Sequence, residues 1–344
     1  MKKLILALSA LLAFVAAAQS NAAMKWHPGH YVWLDPGNSQ SAHFKHIDEI
    51  ASVPSVKGVE IQLYWYGLEP KKGSYNFSVI DAYLAKLKSL KTPKRLIVRV
   101  MDRNFGGGLG GTVPDYLRTS TYNGGIVPMG YGNVARIWEA PVNDRLIALF
   151  QALGARYNSN PLLEGFMTTE TSISWGTKPI PKGYSIDTLT TQYLRFIAAA
   201  RKSMPNTGLF LGINFLGNDA NMQKVIQSMV PADMALGGVN TIPKKISQAQ
   251  RVWTGRTGAD YTTTLAIAQM VEDLELGSNH GTYTPKQLYD FAYGTLKTNY
   301  MFWIRNTYNG GKAQQWSTGI LPFLKTNPPL RTGCPSSYGS CNTG

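Results

Sequence analysis

The chain is poor in cysteine and poor in charge. Two of its 344 residues are Cys, too few for a small scaffold held together by bridges. Charged residues make up 16%, against 44% hydrophobic and 11% aromatic, which excludes a disordered chain, since that state needs the opposite balance. Acidic side chains are the scarcer sign: 20 Asp and Glu against 34 Lys and Arg leave a formal net charge of +14. Even so there is no basic tail and no nucleic-acid motif, so no nucleic-acid partner is expected. The cations are spread out (Lys71, Lys72, Lys86, Lys88, Lys91, Lys94, Arg95, Lys244, Lys245). They make either a solvated surface or an attraction to an anionic cell surface or acidic polymer. No G-x-S-x-G elbow and no G-x-x-x-x-G-K-[ST] loop occurs, which counts against serine esterases and P-loop enzymes.

Long apolar runs are missing as well, except at the start. Leu4 to Ala18 carries no charge, follows Met1-Lys2-Lys3 and precedes Ser20-Asn21-Ala22-Ala23. This pattern predicts a secretory signal peptide over 1–23, with cleavage after Ala22 or Ala23. The run is too short for a bilayer span, and nothing later qualifies. A secreted or periplasmic protein without a membrane anchor is expected. In that oxidising compartment Cys334 and Cys341, in the Gly/Ser/Pro-rich tail 331–344, are expected to pair.

From 24 to 330, short apolar runs alternate with amphipathic stretches. Strands are predicted at 31–34, 59–66, 95–101, 163–169, 209–215, 235–240, 265–271 and 300–304. Between them, Ile80, Tyr83, Leu84 and Leu87 share one helical face, as do Leu146, Ile147, Phe150 and Leu153. Further helices are predicted at 189–204, 221–229, 247–253, 285–296 and 314–324, with Asp187, Asp219 and Thr284 as candidate caps. Eight strands alternating with helices predict an α/β chain folded as one (β/α)8 TIM barrel, a single domain. A doubly wound open sheet is the alternative. Gly106 to Gly111 fits G-x-G-x-x-G, but Thr112-Val113-Pro114-Asp115 follows where a dinucleotide site needs a helix, so a flexible loop is expected there. It belongs to the longest inter-element loop, 104–140.

In such a barrel, chemistry sits at the C-terminal ends of the strands. The chain has eight Glu. Glu60 and Glu164 are expected at strand starts, on the stability face. Glu69, Glu170 and Glu272 or Glu275 fall at strand ends. Alternation puts Phe166, Thr168 and Glu170 on one side of strand 4, and Ala266, Ala268, Met270 and Glu272 on one side of strand 7. Two carboxylates at one barrel mouth can cleave a glycosidic bond, one as acid/base and one as nucleophile or activator of water.

Three stretches carry a family resemblance, two of them specific. Residues 64–77, Tyr-Trp-Tyr-Gly-Leu-Glu-Pro-Lys-Lys-Gly-Ser-Tyr-Asn-Phe, and the helix entered through Asp81 resemble the W…EP…G.Y.F segment of retaining (β/α)8 glycoside hydrolases of clan A, families five, thirty-nine and forty-two above all. Residues 152–166, with Arg156-Tyr157 and Asn160-Pro161, resemble the lead into that clan's acid/base strand, and Val113-Pro114-Asp115-Tyr116-Leu117 its third loop. The resemblance implies Glu170 as acid/base, Glu272 as nucleophile and Trp303 as an aromatic floor beneath the sugar. It implies an enzyme that cleaves a polysaccharide or oligosaccharide with retention and needs no cofactor. One departure stands out: the clan's Asn before the acid/base is Thr169 here, which has a hydroxyl but no amide. A catalytically silent barrel that binds glycan or cell wall is the alternative.

Other residues are candidates by chemistry. Tyr64, Trp65 and Trp175 offer ring faces to sugar C–H faces, with Tyr66 more at home in packing. Arg99, Asp102 and Arg103, with Asn214 and Asn240, are candidate binders of hydroxyls or of an acidic group, or supports for the two carboxylates. His27/His30 and His43/His46 have H-x-x-H spacing, but no Cys or carboxylate completes a metal set, and none is expected. The long third loop suggests an open cleft and endo-action, the positive charge allows an anionic glycan, and a monomer is expected.

Overall fold

The computed structural model describes residues 23–106, 110–272, 283–305 and 316–344. The signal-peptide reading, Glu275 and the centre of the Gly106 to Gly111 loop lie outside them. Eight parallel strands close a barrel in sequential order: β1 (Gly29–Leu34), β2 (Val56–Tyr64), β3 (Arg95–Met101), β4 (Leu163–Thr168), β5 (Gly208–Ile213), β6 (Ala235–Gly238), β7 (Ile267–Val271) and β8 (Tyr300–Arg305). Closure comes from β8 pairing with β1, Tyr300 opposite Gly29 through Arg305 opposite Leu34. The expected TIM barrel is therefore the observed fold, and the open sheet is excluded.

A helix follows each strand: α1 (Gln40–Glu49), α2 (Ser78–Lys88), α3 (Ala140–Tyr157), α4 (Ile186–Ser203), α5 (Asp219–Met229), α6 (Gln248–Trp253), α7 (Pro285–Asp290) and α8 (Leu321–Lys325). Their starts follow from capping chemistry. Ser185 with Thr188, Ser247 with Gln250, and Thr284 with Gln287 form reciprocal capping boxes. Thr284 caps as expected, whereas Ser185 and Asn218 take the roles assigned to Asp187 and Asp219. Those two aspartates lie in the first turns, where the helix dipole still favours their charge.

Inside the barrel one parity of each strand points to the axis. Tyr31, Phe210, Tyr300 and Phe302 fill the lower layers, with Phe210 5.1 Å from Tyr300 and Tyr31 5.9 Å from Phe302, centroid to centroid. At the base Glu164 accepts from the His27 backbone at 2.8 Å and from the Tyr300 hydroxyl at 2.7 Å. That is the stability-face role expected of it. Cys334 and Cys341 form the expected disulfide, and Cys341–Asn342 pairs in parallel with Met24–Lys25. Trp26 packs edge-on against both Tyr300 and Tyr338. Both ends of the described chain thus close the barrel floor, opposite the mouth.

Above β3 the described residues of the long loop are tied together by a small sheet. Arg103–Asn104, Ile126–Met129 and Gly132–Ala135 form a small antiparallel sheet. Asn104 Oδ1 accepts from the Asn133 backbone at 2.9 Å, and Gly132 adopts φ +93° against the Asn104 carbonyl, where a Cβ would come within 2.2 Å of that oxygen. Among the described residues no helix is long and apolar enough to cross a membrane.

Candidate active site

A cavity of about 590 Å³ opens at the C-terminal rim of the barrel. Strand parity supplies most of its wall: Trp33 and then Asp35 from β1, Gln62 and Tyr64 from β2, Arg99 and Met101 from β3, Ile304 from β8. The third loop adds Asn104 and Phe105, and Val239 and Asn240 follow β6. Glu170 and Glu272 both line this one cavity, although 101 residues separate them along the chain.

The two acids arrive differently. On β7, Met270 points inward and its sulfur receives Arg99 Nη2 at 3.0 Å, so Glu272 continues the inward set as expected. On β4 the expected parity fails. Phe166 packs edge-on against Phe150 of α3 and touches Tyr157, and Thr168 also faces the helices. Glu170 reaches the mouth because β4 ends at Thr168, after which strict alternation no longer applies. Gly212 lets β5 approach there, since a Cβ on it would lie 2.3 Å from the Thr169 carbonyl oxygen.

Glu170 is held from two sides. The Asn214 amide donates to its Oε2, while Asn214 Oδ1 accepts from the Ser172 backbone at 3.0 Å and the Phe215 backbone at 2.8 Å. That fixes the Asn214 amide orientation. Beneath lies a buried ion pair, Arg103 Nε to Asp102 Oδ1 at 3.0 Å, with Arg103 Nη1 donating to the Ser172 carbonyl at 2.5 Å. Burial raises the Glu170 carboxyl above the ordinary carboxylate range; the Arg103 charge and the Asn214 amide oppose that rise without cancelling it.

Arg99 forms a two-pronged pair with Glu60, Nε to Oε1 at 2.8 Å and Nη2 to Oε2 at 2.9 Å, and its guanidinium lies 5.0 Å from the Trp33 ring centroid. Glu60 is therefore not at a strand start. It sits midway along β2, inside the barrel, fully buried under the cavity floor.

Several expected site residues are elsewhere. Trp303 has the wrong parity: it faces outward, donates Nε1 to His30 Nδ1 at 2.9 Å and packs on Phe323 of α8. Trp65 begins a single helical turn, Trp65–Leu68, and donates to Glu69 at 3.0 Å. Glu69 itself is buried and taken up by Trp65, Tyr116, Arg145 and the Gly73 backbone, so it is a loop anchor. Trp175 packs against Trp138 and Tyr184 rather than lining the cavity. Asp102 points away from the mouth, and Thr169, though on the cavity wall, gives its hydroxyl to Asp102. Tyr64, Arg99 and Asn240 line the cavity; Asn214 reaches it through Glu170. His27 bonds Glu164, His30 accepts a hydrogen bond from the Trp303 indole, and His43 meets Tyr83 and the Asp35 carbonyl. Among the described residues no three His, Cys or acidic side chains gather as a metal site. Trp33, Asp35 and Gln62 on the cavity wall carry no motif in the sequence. The parity of Tyr31-Val32-Trp33-Leu34 would have found the first two.

No family model and no curated protein matches the chain. Solved structures do. The catalytic domain of β-amylase from Paenibacillus polymyxa superposes with TM-score 0.61 at 10% identity, over 89% of this chain and 100% of that one. Endo-glycoceramidase II from Rhodococcus sp., bound to cellobiose-like isofagomine, gives 0.55 at 12% identity over 92% and 84%. GH5_18 from Streptomyces cattleya, bound to GlcNAc, gives 0.52 at 11% identity over 82% and 71%. The chain shares their barrel fold. At such identities the likeness is one of architecture, and what the cavity does has to be argued from its own side chains.

Proposed function

We propose that the chain is a glycoside hydrolase acting with retention on a polysaccharide or oligosaccharide. The observation that carries this is the meeting of Glu170 and Glu272 in one rim cavity. Glu170 is the acid/base: its raised carboxyl keeps a proton to give to the departing glycosidic oxygen, and then takes one from water. Glu272 is the nucleophile that attacks the anomeric carbon and forms the glycosyl-enzyme. Trp33 and Tyr64 offer ring faces to the sugar; Gln62 and Asn240 offer amides to its hydroxyls, the Asn104 amide being taken up by Thr112 and Asn133. With the Thr169 hydroxyl turned to Asp102, those amides are what remains near Glu170 for hydroxyl recognition. The glycosidases among the structural neighbours support this reading, as do the sequence stretches at 64–77 and 152–166.

A second depression shares Glu170 and Asn240 with the main cavity. Space on both sides of the acid fits a chain that continues past the cleaved bond, hence endo-action. Export, a monomeric state and the absence of a cofactor complete the proposal.

The test is hydrolysis of a glycan panel with product anomers followed by NMR. Glu170→Gln and Glu272→Gln should each lower turnover by about 10²–10⁴-fold or more with the fold intact. First-formed product should keep the anomeric configuration, which requires the two carboxyl groups to stand ~5–5.5 Å apart. Inverted product would replace the nucleophile role by general-base activation of water. Glycan binding without hydrolysis would favour the silent barrel.

A further inference from the structure

The two sides of Glu170 carry opposite charge. The main cavity presents Asp35, Glu170 and Glu272, and its Arg99 is neutralised by Glu60. The neighbouring depression, of about 200 Å³, adds Asn214, Phe215, Lys245 and Ser247 to the shared Glu170 and Asn240. Lys245 is exposed, and its ammonium has no ion pair among the described residues. Phe215 beside it is a large apolar ring left 46% exposed.

Resting on the glycosidase reading, we propose that this depression binds a sugar bearing an anionic substituent, a carboxylate or a sulfate, next to the scissile bond, so that the substrate class is an acidic glycan. Lys245 recognises the anion. Phe215 stacks on the ring's C–H face, and Asn240 and Ser247 face its hydroxyls, while Asn214 stays bound to Glu170. Orientation follows from repulsion as much as attraction: the same anion placed in the main cavity meets the acidic side chains of Asp35 and Glu272 beside the protonated Glu170. The reacting sugar is thus neutral, and the acidic one lies on the β5–β6 side.

The test uses the purified chain with uronate-containing and sulfated oligosaccharides, each paired with its carboxyl-reduced or desulfated form. At least one acidic member should be preferred over its neutral twin by about tenfold in kcat/KM, the worth of one charge-assisted contact. That preference should shrink with added salt. It should collapse in Lys245→Ala and survive in Lys245→Arg, with the change mostly in KM. Which pair shows the preference separates carboxylate from sulfate. Equal cleavage of every pair, or an acidic preference that Lys245→Ala leaves intact, overturns the inference. Cleavage of neutral glycans alone, lost when Glu170 or Glu272 is replaced, would overturn it while sparing the glycosidase reading. Cleavage that needs neither Glu, or no cleavage or binding of any member, would bring both down.

Discussion

Replacing Arg99 by Met should destabilise the protein in a pH-dependent way. Glu60 is fully buried, and both its oxygens are taken up by the Arg99 guanidinium, at 2.8 and 2.9 Å. Without Arg99 the carboxylate is stranded in the barrel interior. Its cheapest escape is to take a proton. For a carboxyl of ordinary pKa 4.5, holding that proton at pH 7 costs about 3.4 kcal/mol. This sits within the roughly 3–5 kcal/mol seen when one partner of a buried pair is removed. The sign follows from linkage. Folded Arg99→Met keeps the proton and the unfolded chain loses it above 4.5, so the penalty grows with rising pH. Burial already holds the native Glu60 carboxyl above its ordinary range against the pull of Arg99, so part of that cost is present before the substitution, and urea unfolding at a series of pH values should show a loss of up to about 3 kcal/mol at neutral pH that shrinks on acidification. The double variant Glu60→Leu with Arg99→Met should recover most of the stability, since a packed apolar pair does as well as a buried ion pair. A loss under about 1 kcal/mol at neutral pH, or one independent of pH, would refute the assignment of Glu60 as an interior carboxylate dependent on Arg99.

Asn214→Ala removes a donor to the ionised Glu170, so the Glu170 pKa should climb further above its already raised position. Because the acid must be protonated, the alkaline limb of the kcat/KM profile should move to higher pH while kcat falls. Trp33→Ala should raise KM, whereas Trp303→Phe, which loses an outward indole hydrogen bond to His30, should cost about 1–2 kcal/mol of stability and leave kcat/KM unchanged. Replacing Cys334 and Cys341 by Ser opens a bridge spanning a sequence separation of 7. The loss should be about 2 kcal/mol by thermal melting, with hydrolysis unaffected because the bridge lies at the barrel floor.

The barrel was legible because its signal is repeated. Eight apolar runs separated by amphipathic helices leave few topologies, and eight parallel strands, each followed by a helix and none by a phosphate-binding turn, favour the closed one. Glu272 was legible for a local reason: small and inward residues alternate with bulky outward ones on β7, and the parity carries one residue past the strand. Glu170 was found by its position at a strand end and by resemblance, although the parity used to orient it was wrong. Trp303 shows the reverse failure. Its place on β8 matched, but Tyr300, Phe302 and Ile304 own the inward parity, so its indole lies under α8.

Hydrophobic period, capping residues and glycine placement are local properties of the chain, and they suffice to specify the number, order and type of elements and hence the barrel. Where a polar side chain ends up depends on partners distant in sequence: Glu60 on Arg99, Thr169 on Asp102, Glu69 on Arg145, Glu170 on Asn214. Those choices emerge only when the strands close, because a charge or hydroxyl is oriented by whichever donor or acceptor the fold brings within reach, and no periodicity in the chain encodes that.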